Sequence, residues 1–312
     1  MKFMKKYDVC FMHLFTYYIC GDLFQSFEHF YLSRKNKINA CLFLSIHVDK
    51  ERIEQCFKQK YNFDESEFEE IFSHIYIIPI KEFIKKRMYQ TSFKIICFPG
   101  IHQLYQLYTG IIIQHQKAVA FACMPVDESR TIFNLEVFQD YRIYGDTFLN
   151  NKTYNYVRKL LLDKYKKPES NTEDTALIYI KNFVKNHTIE NTIRMMKEYK
   201  FKKYLICVDK PFYPTFSKLK NAQVEVITLP IDDIFSKFST YIYSLIKDNT
   251  DKVIDCSSRF LIECKYFNKD IIFDGDIKDK GLYFRKQDLE NDIECLNLKD
   301  NDYFITYLKD NL

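Results

Sequence analysis

The sequence predicts an α/β protein built from two Rossmann-like domains facing each other across a cleft, and three observations carry that expectation. Apolar runs of strand length alternate with segments of helical periodicity. The alternation is interrupted at the Lys-Lys-Pro-Glu-Ser-Asn stretch of 166–171 and then starts again. The 312 residues are long for one core and comfortable for two. Strand-length runs that are apolar throughout belong to strands buried on both faces, as in a parallel sheet covered by helices. One long mixed sheet is the alternative for the same pattern.

Taken in order, Tyr7 to Leu14 is a near-continuous apolar strand, and Leu23 to Leu32 carries Phe24, Phe27, Phe30 and Tyr31 at helical spacing. Cys41 to Val48 repeats the strand character. Glu51 to Phe72 is helical with an interruption near Asn62 and Asp64. Ile75 to Ile80, a helix-like Lys81 to Met88, Phe93 to Phe98, a segment around Leu104 to Ile113, and Ala118 to Met124 complete a first domain over 1–150. Asn151 to Lys167 is expected to be helical and to run into the linker, making 151–171 the junction. The second domain, 172–299, holds strands at Ala176 to Ile180, Tyr204 to Val208 and Val224 to Leu229, with helices at Ile189 to Tyr199 and Ile234 to Ile246.

Composition narrows the function classes. A hydrophobic fraction of 47% with 17% aromatics fills two cores without any Trp. Lys+Arg 46 against Asp+Glu 42 gives a net charge of +4, which permits an anionic ligand without demanding one. The 10 Cys are scattered singly, with no C-x-x-C pair and no zinc spacing, the usage of reduced thiols in a cytoplasmic protein. No apolar run approaches the ~18 residues that span a bilayer, so no integral membrane contact is expected. A P-loop, a nucleophile elbow, G-x-G-x-x-G and a metal-ligand motif are all missing, which weighs against ATPases, hydrolases and NAD enzymes.

The most informative stretch is 253–288. A short strand at Val253 and Ile254 ends at Asp255, Ser257 and Ser258 can cap a helix, and Phe260, Leu261, Cys264 and Phe267 form an apolar stripe. Arg259, Glu263 and Tyr266 share a second face, and Ile271 to Phe273 is the following strand. A cation in the first turn opposes the helix dipole and the free N–H groups there, and a docked anion, a diphosphate above all, would resolve the conflict. The plain alternative is a solvent-exposed i,i+4 pair worth only about 0.3–0.5 kcal/mol.

Other candidates lie at the carboxyl ends of strands, where ligands collect in open α/β sheets. The loop Phe15 to Gly21 follows the first strand and leads to Asp22, which can act as a general base or simply as an N-cap; Glu28 and His13 are weaker candidates for the same role. Lys181 opens the loop after the first strand of the second domain, where it can meet phosphates or merely water. Tyr144-Gly145-Asp146 reads as a turn, and Gly281 to Arg285 combines an Arg with aromatics that suit a phosphate beside a stacked ring.

Asp255, Arg259, Phe260, Glu263, Cys264, Tyr266 or Phe267, Gly281, Tyr283 and Arg285 together resemble the donor-nucleotide segment of two-domain, Leloir-type glycosyltransferases of the GT-B fold. The likeness is greatest to a compact group met in phages and in bacterial surface-sugar loci. The resemblance implies a nucleotide-diphosphate sugar such as UDP-glucose as donor substrate, with no further cofactor and no metal in the reaction centre. It implies that Glu263 meets the ribose hydroxyls, that Ser257, Ser258, Arg259, Lys181 and Arg285 surround the diphosphate, and that 300–312 is a helix packing back on the first domain. Asp22 would be the catalytic base, with His13, Tyr17 and Tyr18 at the acceptor. The implied acceptor is a 5-hydroxymethyl-pyrimidine in duplex DNA, in the host cytoplasm if the chain is phage-encoded; synthesis of surface glycans is the alternative, and a non-catalytic nucleotide-binding protein on this fold is another.

Overall fold

Fully apolar, β-branched and aromatic runs become the central strands because only a sheet covered on both faces can bury them. The computed structural model describes residues 7–16, 21–46, 49–85, 93–98, 117–122, 135–140, 153–156, 164–168, 174–181, 187–228, 234–244, 259–274 and 302–312. The chain divides into two units, Met1–Tyr165 with Glu294–Leu312, and Lys166–Ile293.

The first unit runs β1 (Val9–Thr16), α1 (Gly21–Lys35), β2 (Ala40–Ile46), α2 (Lys50–Lys60), α3 (Glu65–Phe72), β3 (Ile75–Ile77), α4 (Ile80–Lys85), β4 (Ile95–Phe98), β5 (Lys117–Ala122), β6 (Leu135–Asp140) and β7 (Thr153–Tyr156). These strands pair in parallel in the order β3-β2-β1-β4-β5-β6-β7. The order reverses between β1 and β4, which makes their carboxyl ends a topological switch point. Val9, Cys10 and Met12 on β1 are fully buried, as are Phe27 and Phe30 on α1 above them. The interruption expected near Asn62 and Asp64 is a real break: Tyr61 is extended after α2, the Asn62 amide donates to Lys164 O at 2.6 Å, and the Asp64 side chain caps α3 through the Glu67 amide.

The second unit runs β8 (Thr175–Ile180), α5 (Ile189–Glu198), β9 (Lys203–Val208), a chain of short helical turns over 210–219, β10 (Val224–Thr228), β11 (Thr240–Ser244), α6 (Arg259–Tyr266) and β12 (Asp270–Asp274). All pairs are again parallel, in the order β10-β9-β8-β11-β12, with the reversal between β8 and β11. Ile178, Ile206, Val226 and Ile242 join Met195 of α5 in its core. The last helix, α7 (Asp302–Asp310), packs on the first unit, where Phe304 meets Phe11 and Phe121 at ring-centroid distances of 6.3 and 5.0 Å.

Two sequence expectations are corrected. The expected junction helix over 151–167 contains β7, whose Thr-Tyr-Asn-Tyr sequence favours a pleated strand and pairs with β6. The expected helix Ile234 to Ile246 is a single helical turn, Ile234–Ser236, followed by β11, in which Thr240, Tyr241, Ile242 and Tyr243 are all buried. The strand that precedes α6 among the described residues is therefore β11, and Val253 and Ile254 lie outside them.

Candidate functional site

Helix α6 follows β11 at the switch point of the second sheet, and its sequence fixes how it sits. Leu261 and Cys264 are fully buried, while the Phe260 ring stacks on Phe235 at 5.0 Å and meets Tyr241 edge-on at 5.1 Å. The apolar stripe read from the sequence thus faces the core. Arg259 is the first residue of the helix, and its Nε donates to Glu263 Oε1 at 2.8 Å one turn later. Neither side chain is a solvated surface group: they are 8% and 6% exposed. An ion pair this buried gains much less than its Coulomb attraction suggests, because both charges have been stripped of water. The arrangement holds a guanidinium rigidly at the positive end of a helix.

Lys181 directly follows β8, the neighbour of β11 across the switch point, and its Nζ lies 5.7 Å from the centre of the Tyr179 ring. Its backbone N–H donates to His187 Nδ1 at 2.8 Å. His187 was not singled out by sequence reasoning, and a lone His with no motif around it gave no signal. It is buried, just ahead of Thr188, whose side chain caps α5 by accepting from the Asn191 amide. Burial, reinforced by the charge of Lys181, lowers its pKa to about 4, so the ring is neutral near pH 7.

In the first unit Asp22 occupies the first turn of α1, the described element that follows β1, and is half-buried. His13 is fully buried in β1, in register with Leu44 of β2. Glu28 is fully buried too, and its Oε1 accepts from the Tyr61 hydroxyl at 2.8 Å and the Tyr165 hydroxyl at 3.0 Å. That carboxylate ties α1 and the end of α2 to the segment leaving the unit. Tyr17, Tyr18, Ser257, Ser258 and Arg285 lie outside the described residues, as do Asp255, 144–146 and 281–283. Among the described residues no group of three or more His, Cys, Asp or Glu could hold a metal ion, and no helix is long and apolar enough to cross a membrane.

No family model and no curated protein matches this chain. Solved structures do match. An alpha-glucosyltransferase in complex with UDP is similar with a TM-score of 0.52 at 11% identity, over 92% of this chain and 89% of that one. A glycosyltransferase from Rickettsia africae aligns with a TM-score of 0.51 at 10% identity, over 88% of this chain and 82% of that one. The fold is GT-B. A further alpha-glucosyltransferase structure, with UDP and a 13-mer DNA containing an HMU base, gives 0.51 at 11% identity over 92% and 89%. At such identity the likeness is one of fold. The GT-B architecture has two switch points here, one with Asp22 on the helix after β1, the other with Arg259, Glu263, Lys181 and His187 around β8 and β11.

Proposed function

We propose that the protein is a glycosyltransferase that moves a sugar from a nucleotide-diphosphate donor to a hydroxyl acceptor. The observation that carries this reading is Arg259, held by Glu263 in the first turn of α6 at the switch point of the second sheet. A cation there stabilises an anion that also meets the helix N-terminus, and a leaving diphosphate is such an anion. Glu263 would accept from the ribose hydroxyls while it orients Arg259. Lys181, Ser257, Ser258 and Arg285 would complete the phosphate surroundings.

Asp22 would take the proton of the acceptor hydroxyl as that oxygen attacks the anomeric carbon, and the bond from that carbon to the diphosphate breaks. General-base help of this kind contributes about 10²–10⁴-fold. No metal is assigned to the step, since the donor's charge is matched by protein cations and N–H groups.

The acceptor favoured is a 5-hydroxymethyl-pyrimidine in DNA, with His13, Tyr17 and Tyr18 near it. Structural likeness to an alpha-glucosyltransferase bound to UDP and HMU-containing DNA supports that choice. The test is transfer of labelled glucose from UDP-glucose to duplexes carrying hydroxymethyluracil or hydroxymethylcytosine, with unmodified DNA as control. Label in the modified duplexes alone supports the reading. Label only in a glycan or lipid-linked acceptor moves the function to surface-glycan synthesis.

A further inference from the structure

Positive charge in the second unit gathers at one end of its sheet. Between Arg194 and Gln223 the sequence holds eight Lys or Arg against two Asp or Glu, a net of +6 where the whole chain carries +4. Six of those lysines, Lys197, Lys200, Lys202, Lys203, Lys218 and Lys220, are exposed. Lys200 and Lys202 lead into β9 and Lys203 is its first residue, while Lys218 and Lys220 lie just ahead of β10, its neighbour in the sheet. Lys197 is in the last turn of α5, which ends at the same edge. All six therefore stand at the amino ends of β9 and β10, the end of the sheet opposite to the one where Lys181 and Arg259 follow their strands.

The frame beneath them is fixed. The hydroxyl of buried Tyr204, the second residue of β9, accepts from the Phe201 amide at 2.9 Å and lies 2.8 and 2.7 Å from the carbonyl oxygens of Met196 and Tyr199. Its own amide donates to Gln223 O at 2.8 Å, which sets the turn before β10 beside Lys203. Phe201 and Leu219, the apolar residues between the lysines, pack onto the core of the unit. The side chains left at the surface are the lysines beside Asn221, Ala222 and Gln223.

Ordinary causes account for little of this clustering. A helix C-terminus favours the cation at Lys197, but strands carry only small net dipoles and supply no such field to Lys202, Lys203, Lys218 or Lys220. Among the described residues one carboxylate pairs with the six: Asp174 Oδ2 is 3.4 Å from Lys202 Nζ. Lys220 Nζ lies 4.9 Å from the centre of the Tyr213 ring, a contact that leaves its charge in place. Like charges gathered without partners repel one another, and a polyanion relieves that repulsion. A folded domain that docks on a membrane surface commits apolar side chains to it, whereas the one exposed large apolar side chain among the described residues is Leu312, in the first unit. Duplex phosphates come about one per 1.7 Å of helix axis, and lysines meet them as point charges without reading the bases.

We propose that this lysine face docks on the phosphate backbone of a nucleic acid, independently of base sequence and of hydroxymethylation. It is separate from the donor site and needs no donor bound.

The test is fluorescence anisotropy of a labelled, unmodified duplex titrated with the protein over a series of salt concentrations. In Lys202→Gln/Lys203→Gln/Lys218→Gln/Lys220→Gln four charges leave the face; in Lys50→Gln/Lys58→Gln/Lys81→Gln/Lys309→Gln four exposed charges leave the first unit instead. The expected wild-type log–log salt slope is about −0.9 per phosphate met, and the face variant should make it shallower by about 1 for each of its lysines that meets one, with affinity down about tenfold or more. The first-unit variant should keep the wild-type slope and most of the affinity, and the face variant should keep the wild-type melting temperature and UDP affinity. A face variant that binds the duplex as tightly as wild type with the same slope, or a first-unit variant that loses as much, overturns the proposal. So does wild type that binds vesicles containing phosphatidylserine but no duplex. Because no donor enters these titrations, a failure of UDP binding or of sugar transfer bears on the glycosyltransferase reading alone.

Discussion

Arg259 Nε and Glu263 Oε1 are 2.8 Å apart one turn along the same helix, and both side chains are buried. That relationship changes what substitution at this point does. In a solvated pair Arg259→Ala would be almost silent for stability. Here it takes the guanidinium from a buried carboxylate, and removing one partner of a buried pair costs about 3–5 kcal/mol. Arg259→Ala should therefore melt well below wild type and bind UDP poorly. The double variant Arg259→Met/Glu263→Leu should recover much of the stability without recovering UDP binding. Wild-type UDP affinity in that double variant, by calorimetry, would remove the pair from the donor site.

Asp22→Asn keeps the size of the side chain in the first turn of α1 but removes its ability to take a proton. Turnover should fall by about 10²–10⁴-fold while the melting temperature and UDP affinity hardly change. Steady-state kinetics with the preferred acceptor check this, and full activity would leave Asp22 as a helix-starting residue only.

Glu28 is assigned a structural role by the two tyrosine hydroxyls it accepts. Glu28→Ala leaves those buried hydroxyls without that acceptor, at roughly 1–3 kcal/mol for each left unsatisfied. Chemical denaturation should show that loss of stability. The folded variant should bind UDP as tightly as wild type, because the nucleotide is assigned to the second unit.

Glu67 should make the first unit acid-sensitive. Burial alone would raise its carboxyl, but hydrogen bonds from Lys35, Tyr31 and Lys164 outweigh burial and hold the pKa at about 2. A carboxylate depressed in the folded state stabilises it above the unfolded pKa, and that contribution is lost as pH falls through the folded pKa. Wild-type stability should accordingly decline from about pH 4.5 toward about 2 more steeply than that of Glu67→Gln. Parallel pH profiles for the two proteins would contradict the assignment.

Much of this fold is legible in the sequence, and the exceptions have physical causes. Phe27 and Phe30 mark α1 because their spacing matches one buried helix face. The strand β11 carries a helix-like pattern because a central strand buries Tyr241, Ile242 and Tyr243 on both faces and loses its alternation, while Phe235, Phe238 and Ile242 happen to fall at helical spacing. Thr153–Tyr156 is hidden in the sequence for a related reason: a four-residue strand is too short to display a period of its own. At the candidate site Arg259 was legible because a cation in a first turn breaks a local rule, which is where functional residues show themselves. Its burial is not, since the same i,i+4 spacing serves a solvated pair and a buried one. His187 became visible only when the Lys181 amide and the end of β11 were brought beside it.

The central claim is that this GT-B chain turns over a nucleotide sugar, and the most direct measurement is UDP release from UDP-glucose by the purified protein, with and without hydroxymethylated duplex DNA. The account predicts release that is stimulated by the modified duplex and abolished in the Arg259→Met/Glu263→Leu variant. Saturable UDP binding with no release from UDP-glucose or any other nucleotide sugar, whatever the acceptor, would contradict it and leave a nucleotide-binding protein on a glycosyltransferase fold.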